Sequence, residues 1–353
     1  MQTPVFSIYF VFLLMFAAYM QNTCYSLTSR AGNRNSAIYY AFTIMVSNLV
    51  FFATLRMLVS KNMTLILWIP YTIATVLGSV SGAKLSMKIE KWFNITTRSD
   101  KKVSASKTAQ ISLLVVMGIL ILLSVVFAQK SAVELLSLAF LVFLKDASFS
   151  AVRRSRNTNN ATYHALISVV DGVLWYFMWR ELVAAKLTFD LFPPYLFGSV
   201  LGGMSGQRVS MFIENLVGTS ADSHLERKDS ISPLVPASIL ITIGISFVFL
   251  FGIFNKAYIL MVLAIIQNTS FALISRARSR NNFTYHAIAS VCSNGVWYLT
   301  FRFLTREQMP LVLLAPYVTC AVAGSLIGIA LSMVIEKWLN ATSDSHVVEK
   351  AKA

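Results

Sequence analysis

The stretch SRARSRNNFTYHA (residues 275–287) sets three arginines, two asparagines and a Tyr-His pair between two apolar runs. Two other stretches follow its pattern: RRSRNTNNATYHA (residues 153–165) and SRAGNRNSAIYYA (residues 29–41). Shifts of 122 and 246 residues lay these copies on the first one. Arg30, Arg154 and Arg276 then coincide, as do Asn35, Asn159 and Asn281, and Tyr39, Tyr163 and Tyr285. The register continues without gaps through Arg56, Arg180 and Arg302, through the pairs Pro70-Tyr71, Pro194-Tyr195 and Pro316-Tyr317, and on to Glu90, Glu214 and Glu336. Matches this long and gapless imply three tandem copies of one unit, each a supersecondary element stacked on its neighbours.

Composition fixes what kind of unit it is. Of 353 residues, 56% are hydrophobic and 13% are charged. Soluble domains carry about 25% charged residues. Nearly uncharged runs recur along the chain, for example residues 111–127 and 234–254. That length matches the ~30 Å hydrocarbon core of a bilayer. The runs are continuous rather than alternating, which excludes a β-barrel. The expectation is an all-α polytopic membrane protein of eleven spans in three parallel repeats (3+4+4). The first repeat, residues 1–107, lacks a leading helix and has spans at 5–27, 37–58 and 64–88. The second, 108–231, has spans at 110–128, 132–152, 162–184 and 192–216. The third, 232–343, has spans at 233–253, 257–276, 284–304 and 311–337, and a tail covers 344–353. The N-terminus has no basic segment before its apolar run, so it reads as a first span rather than a cleaved signal.

Four spans per unit insert every copy in the same orientation. Twenty-one of the 30 Lys and Arg residues then fall on the side of the Arg/Asn motifs, and eight on the other. The basic side is cytoplasmic by the positive-inside rule. The expected location is the plasma (inner) membrane, with the N-terminus outside and the C-terminus in the cytoplasm. The net charge of +15 therefore reflects topology first, and a nucleic-acid partner is not required to explain it. Three parallel copies close most simply into a pseudo-threefold ring.

Two sets of residues could carry chemistry. The first is the motif itself, with Arg30, Arg34, Asn35, Arg154, Asn159, Arg276, Arg280 and Asn281 as candidate solute-binding residues. Arginine forks fit phosphate and carboxylate oxygens, and a triple ring of them would concentrate anions. Pairing of Arg30, Arg154 and Arg276 with Glu90, Glu214 and Glu336 explains the same repetition more simply. The second set is polar and lies inside the apolar runs. Gln21-Asn22, Lys145-Asp146 and Gln267-Asn268 share one aligned position. Ser47-Asn48, Asp171-Gly172 and Ser293-Asn294 share another, near mid-span. Ionisable groups at such depth face an interior or a wet cavity. Structural hydrogen bonding between helices is the plainer explanation, and a polar path selecting a solute is the sharper one.

Other features support packing. Gly78/Gly82, Gly202/Gly206 and Gly324/Gly328 are aligned small-xxx-small pairs, the spacing that lets membrane helices approach closely. His164 and His286 follow the motif tyrosines without ligands at metal spacing, and Cys24, Cys292 and Cys320 read as small apolar residues. There is no phosphate-cradling loop, dinucleotide fingerprint, HExxH or nucleophile elbow, so no catalytic residue, metal or cofactor is expected. The leading expectation is a channel or transporter for small anionic solutes, phosphorylated ones included. The second is a membrane scaffold presenting a basic face to a partner, an anionic lipid or a nucleic acid. A wet axis lined by Gln21, Lys145, Asp171, Gln267 and Asn294 favours the first, and a dry axis of Leu, Phe and Met favours the second.

Overall fold

The computed structural model describes residues 7–31, 37–92, 131–155, 160–218, 232–277 and 283–339. The predicted span 110–128, the tail 344–353 and the motif positions Arg34, Asn35, Asn159, Arg280 and Asn281 lie outside these residues. Among the described residues there are ten long α-helices and no strand. The helices are α1 (Ile8–Ala31), α2 (Ala37–Ser60), α3 (Trp68–Trp92), α4 (Ala132–Ser155), α5 (Ala161–Ala184), α6 (Phe192–Val217), α7 (Leu234–Phe251), α8 (Phe254–Ala277), α9 (Phe283–Arg306) and α10 (Leu314–Trp338).

Helix is the form these segments must take in lipid, because it satisfies every backbone N–H and C=O within the segment. Seven of the ten, α1, α2, α3, α4, α7, α8 and α10, are long and apolar enough to cross a membrane. The bundle is that of a multi-pass membrane protein. Helices α5, α6 and α9 are equally long but more polar, and their polar groups turn inward: His164, Ser199, Ser210, His286, Ser290 and Ser293 are all buried. Apolar side chains face out. On α3 Ile69, Ile73 and Leu77 repeat every fourth residue and are half or more exposed, as are Phe12 and Phe16 on α1. This inversion of the soluble pattern is what a lipid surround requires.

The tightest packing joins the helix that carries Arg30, Arg154 or Arg276 to the last helix of the same third: α1 with α3, α4 with α6, and α8 with α10. The aligned glycines make this approach. A Cβ on Gly78 would stand 2.1 Å from the Tyr19 carbonyl oxygen, one on Gly202 2.2 Å from that of Phe143, and one on Gly324 2.4 Å from that of Ile265. The Thr23 hydroxyl donates to the Gly78 carbonyl (3.1 Å) and Thr269 to Gly324 (2.9 Å), stitching the same seam. Between thirds, α2 packs on α6, α5 on α10, and α9 on α3. Helix α7 lies outside this set, against α10.

The turns also match. Each middle helix ends in two consecutive left-handed residues: Asn62-Met63, Lys186-Leu187 and Gln308-Met309. The second N–H of each pair reaches back to the helix, from Met63 to Leu58 (2.9 Å), Leu187 to Leu182 (3.0 Å) and Met309 to Leu304 (3.1 Å). This satisfies orphan helix-end carbonyls at the cost of left-handed backbone at non-glycine residues. Met63, Leu187 and Met309 are fully buried, which holds the strained pair in place.

Candidate functional site

Arg30, Arg154 and Arg276 lie in the last turns of helices rather than in loops. Helices α1, α4 and α8 run on to residues 31, 155 and 277, past the point where apolarity fades. A basic group there is favoured by the helix dipole. Each arginine forks onto the aligned glutamate of the partner helix. Arg30 Nε and Nη2 reach Glu90 at 3.2 and 3.1 Å, Arg154 reaches Glu214 at 2.8 and 2.8 Å, and Arg276 reaches Glu336 at 2.9 and 3.0 Å. All six residues are buried. These arginines therefore brace α1–α3, α4–α6 and α8–α10, with one full edge of each guanidinium taken up by a carboxylate.

The intramembrane polar residues behave differently. A cavity of about 180 Å³ lies between the thirds, walled by helices from all of them. At liquid density that is room for about six waters. Both aligned polar layers line it: Gln21, Asn22, Lys145, Asp146, Gln267 and Asn268 in one, and Asn48, Asp171 and Asn294 in the other. The structure thus brings together every member of the predicted path.

Hydrogen bonding fixes how these groups face. The amide nitrogens of Asn22, Asn48, Asn268 and Asn294 lie 3.3, 3.0, 3.0 and 3.0 Å from the carbonyl oxygen four residues earlier in their own helix. A carbonyl only accepts, so the amide atom against it is the nitrogen, and the side-chain oxygen is the atom left for other partners. The Asn48 oxygen takes the Tyr195 hydroxyl at 3.1 Å. Lys145 Nζ donates to Asp146 Oδ1 at 2.8 Å, and Ser148 donates to Asp171 at 2.9 Å. Asp146 Oδ2, Gln267 Oε1 and Ser199 Oγ are buried without a hydrogen-bond partner. Buried polar atoms are normally satisfied, so three orphans on residues that line one cavity are unusual.

At the end away from the motif arginines, aromatic rings from the three thirds meet. Phe51 lies 5.6 Å from Trp179 and 6.0 Å from Trp297, and Trp179 lies 5.1 Å from Phe301. Trp175 stacks on Tyr317 at 5.3 Å and Tyr71 on Trp297 at 5.9 Å. These rings form an apolar floor. Near the motif end, imidazoles tie one third to the next: His164 joins Ser155 (2.7 Å) to Ser325 (2.8 Å), and His286 meets Ser79 (2.9 Å). The third such position holds Tyr40 and Gly203 instead of His and Ser, and Tyr40 bonds Ser150 at 3.0 Å.

Two parts of the site escape a sequence search for repeated residues. Arg153 lines the cavity, is buried, and donates to the Thr28 carbonyl (3.3 Å) and the Tyr40 hydroxyl. Its aligned positions hold Ser29 and Ser275, so it is a break in the repeat. The aromatic floor is repeated only in kind, as Phe51, Trp175 and Trp297. The signal that finds Arg153 is that the middle copy departs there from its neighbours. Among the described residues no cluster of three or more His, Cys, Asp or Glu side chains forms. No family model, curated protein or solved structure matches the chain.

Proposed function

We propose that the chain is a single-chain membrane transporter or channel that holds a small polar solute in the central cavity. The observation that carries this reading is the convergence of the nine predicted intramembrane polar residues on one cavity with unsatisfied polar atoms. A scaffold has no use for such a space, and a dry axis would stabilise it better. In this reading α5, α6 and α9 also cross the bilayer, sheltered by the seven more apolar helices. The eleven spans form three parallel units, and the α2–α6, α5–α10 and α9–α3 contacts close them into a pseudo-threefold ring. The motif end faces the cytoplasm, as the distribution of basic residues implies.

Solute selection moves from the arginine ring to the cavity. The ring's forks are occupied by glutamates, while the cavity carries two cations, Lys145 and Arg153, and two carboxylates, Asp146 and Asp171. An anionic group remains one acceptable part of the solute. The test is uptake of isotope-labelled phosphate, amino acids and nucleosides into proteoliposomes. Uptake of at least one above protein-free liposomes is expected, and Asn294→Trp, which enlarges a side chain on the cavity wall, abolishes it. No uptake of any member by folded protein overturns the reading.

A further inference from the structure

Resting on the reading that the cavity is a solute site, we infer that its ligand is a flat-bodied zwitterion, with its anionic group on Arg153 and its amine on the acceptors around Asp146.

The argument starts on one face of α4. Asp146, Phe149, Ser150 and Arg153 all line the cavity. Positions 146 and 153 are two turns apart, about 10 Å along the axis, and on the same side of the helix. The two ends of that face differ in charge. At one end a single cation, Lys145, sits beside two carboxylates, Asp146 and Asp171. At the other end stands Arg153.

Arg153 is the exception among the buried arginines of the motif. Arg30, Arg154 and Arg276 each carry a glutamate. Among the described residues Arg153 has no carboxylate within ion-pair distance, and its partners are neutral: the Thr28 carbonyl and the Tyr40 hydroxyl. Its guanidinium also lies over the Tyr40 and Phe149 rings, at 5.1 and 5.6 Å. A guanidinium buried without an anion is costly unless a ligand supplies one. A carboxylate or phosphate group fits its fork.

The Asp146 end asks for the opposite. Asp146 Oδ2 has no donor, Gln267 Oε1 has none, and Asn22 and Asn268 turn their amide oxygens away from their own backbones. Lys145 and the Gln21 and Gln267 amide nitrogens supply donors at this end, but carboxylates outnumber cations there two to one. An amine or ammonium supplies several N–H donors and answers the local excess of negative charge.

Two further features narrow the class. The cavity's charged side chains balance in number, so a ligand of net charge would leave one buried charge uncompensated, while a zwitterion keeps the balance. Between the two poles, on the same face of α4, lies the Phe149 ring, which suits a planar body. The charged groups come only from the middle third, so the pseudo-symmetric cavity holds its ligand in one orientation.

The test uses the full chain in lipid nanodiscs and three compounds of the same shape: 4-(aminomethyl)benzoate, 4-methylbenzoate and 4-methylbenzylamine. Calorimetric titration is expected to show the zwitterion bound at least about tenfold more tightly than either singly charged analogue. Arg153→Gln and Asp146→Asn each remove about tenfold or more of that affinity. Arg153→Lys, which keeps the charge and loses the fork, recovers part of it. Variants are compared only where the gel-filtration profile and helical content match the parent. Tight binding of 4-methylbenzoate alone, or of 4-methylbenzylamine alone, overturns the inference, as does failure of all three to bind or affinity unchanged in both variants. Uptake assays separate the two readings. Zwitterion binding without uptake of any solute sinks transport and leaves the site, while uptake of other solutes with no zwitterion binding does the reverse.

Discussion

Arg153 and Arg154 are neighbours in sequence with opposite circumstances. Arg154 turns to Glu214 on α6, and both side chains are buried, so the pair is a closed brace. Removing one partner strands a charge in low dielectric. Glu214→Ala is therefore expected to destabilise the protein by about 3–5 kcal/mol, and Arg154→Ala similarly. The double change Arg154→Met with Glu214→Met recovers most of the loss, because a well-packed apolar pair replaces the ion pair at little net cost. Thermal unfolding in detergent checks both, and equal loss in the double and single variants would refute the brace. The sequence names all three arginines and all three glutamates but leaves open whether they meet. The partners are 60 residues apart, and only the glycine seam between their helices brings them within reach. Arg153 is less legible still, because a search for repeats discards positions that do not repeat.

At the scale of helices, the glycine seams are the rigid joints. Gly202 leaves no room for a side chain, since its Cβ would meet the Phe143 backbone, which cannot yield as a flexible side chain can. Gly295 has ordinary contacts at 3.6 Å and beyond. Gly202→Ala is therefore expected to destabilise by about 1–3 kcal/mol, and Gly295→Ala to stay within about 0.5 kcal/mol. Chemical denaturation of the two variants in matched detergent measures the contrast. The unlike link between the first and middle thirds gives a second test. Tyr40 faces Gly203 where the other thirds pair His with Ser. Tyr40→His alone leaves a void and removes a partner of Arg153, while adding Gly203→Ser rebuilds the bridge seen twice elsewhere. A double-mutant cycle is expected to return a favourable coupling of about 0.5–3 kcal/mol. Helix existence and order are legible from apolar runs, since ten of the eleven predicted spans coincide with described helices. Helix ends are not: α1 runs to Ala31 where the apolar run stops near residue 27. Its last turn is polar yet buried, held by neighbouring helices instead of by lipid. For the same reason α5, α6 and α9 fall below the apolarity that marks a span.

At the scale of the whole bundle, the described residues are apolar outside and polar at the centre, and the aromatic floor gives the centre two unequal ends. The polar layers were legible because the same kind of residue recurs at one depth in three places. The floor is not, because nothing in the sequence places Phe51, Trp179, Trp297 and Phe301 together before their rings meet across the axis. This asymmetry predicts one-sided access. In a background with Cys24, Cys292 and Cys320 replaced, cysteines placed at Gln21, Asn268 and Asn294 should react with a membrane-impermeant thiol reagent added on the motif side. The same reagent added on the other side should react slowly, because Trp179, Trp297 and Phe301 stand in the way. A cysteine at Ile73, which points outward from α3, should react only with a lipid-soluble maleimide. Replacing Trp179 with Ala takes the largest ring out of the contact between thirds, so labelling at Asn294 from the far side should rise several-fold while labelling from the motif side stays level. Equal labelling of Asn294 from both sides of the parent protein would mean that the floor does not close the cavity. In that case the rings are packing alone, and the two ends of the path are equivalent.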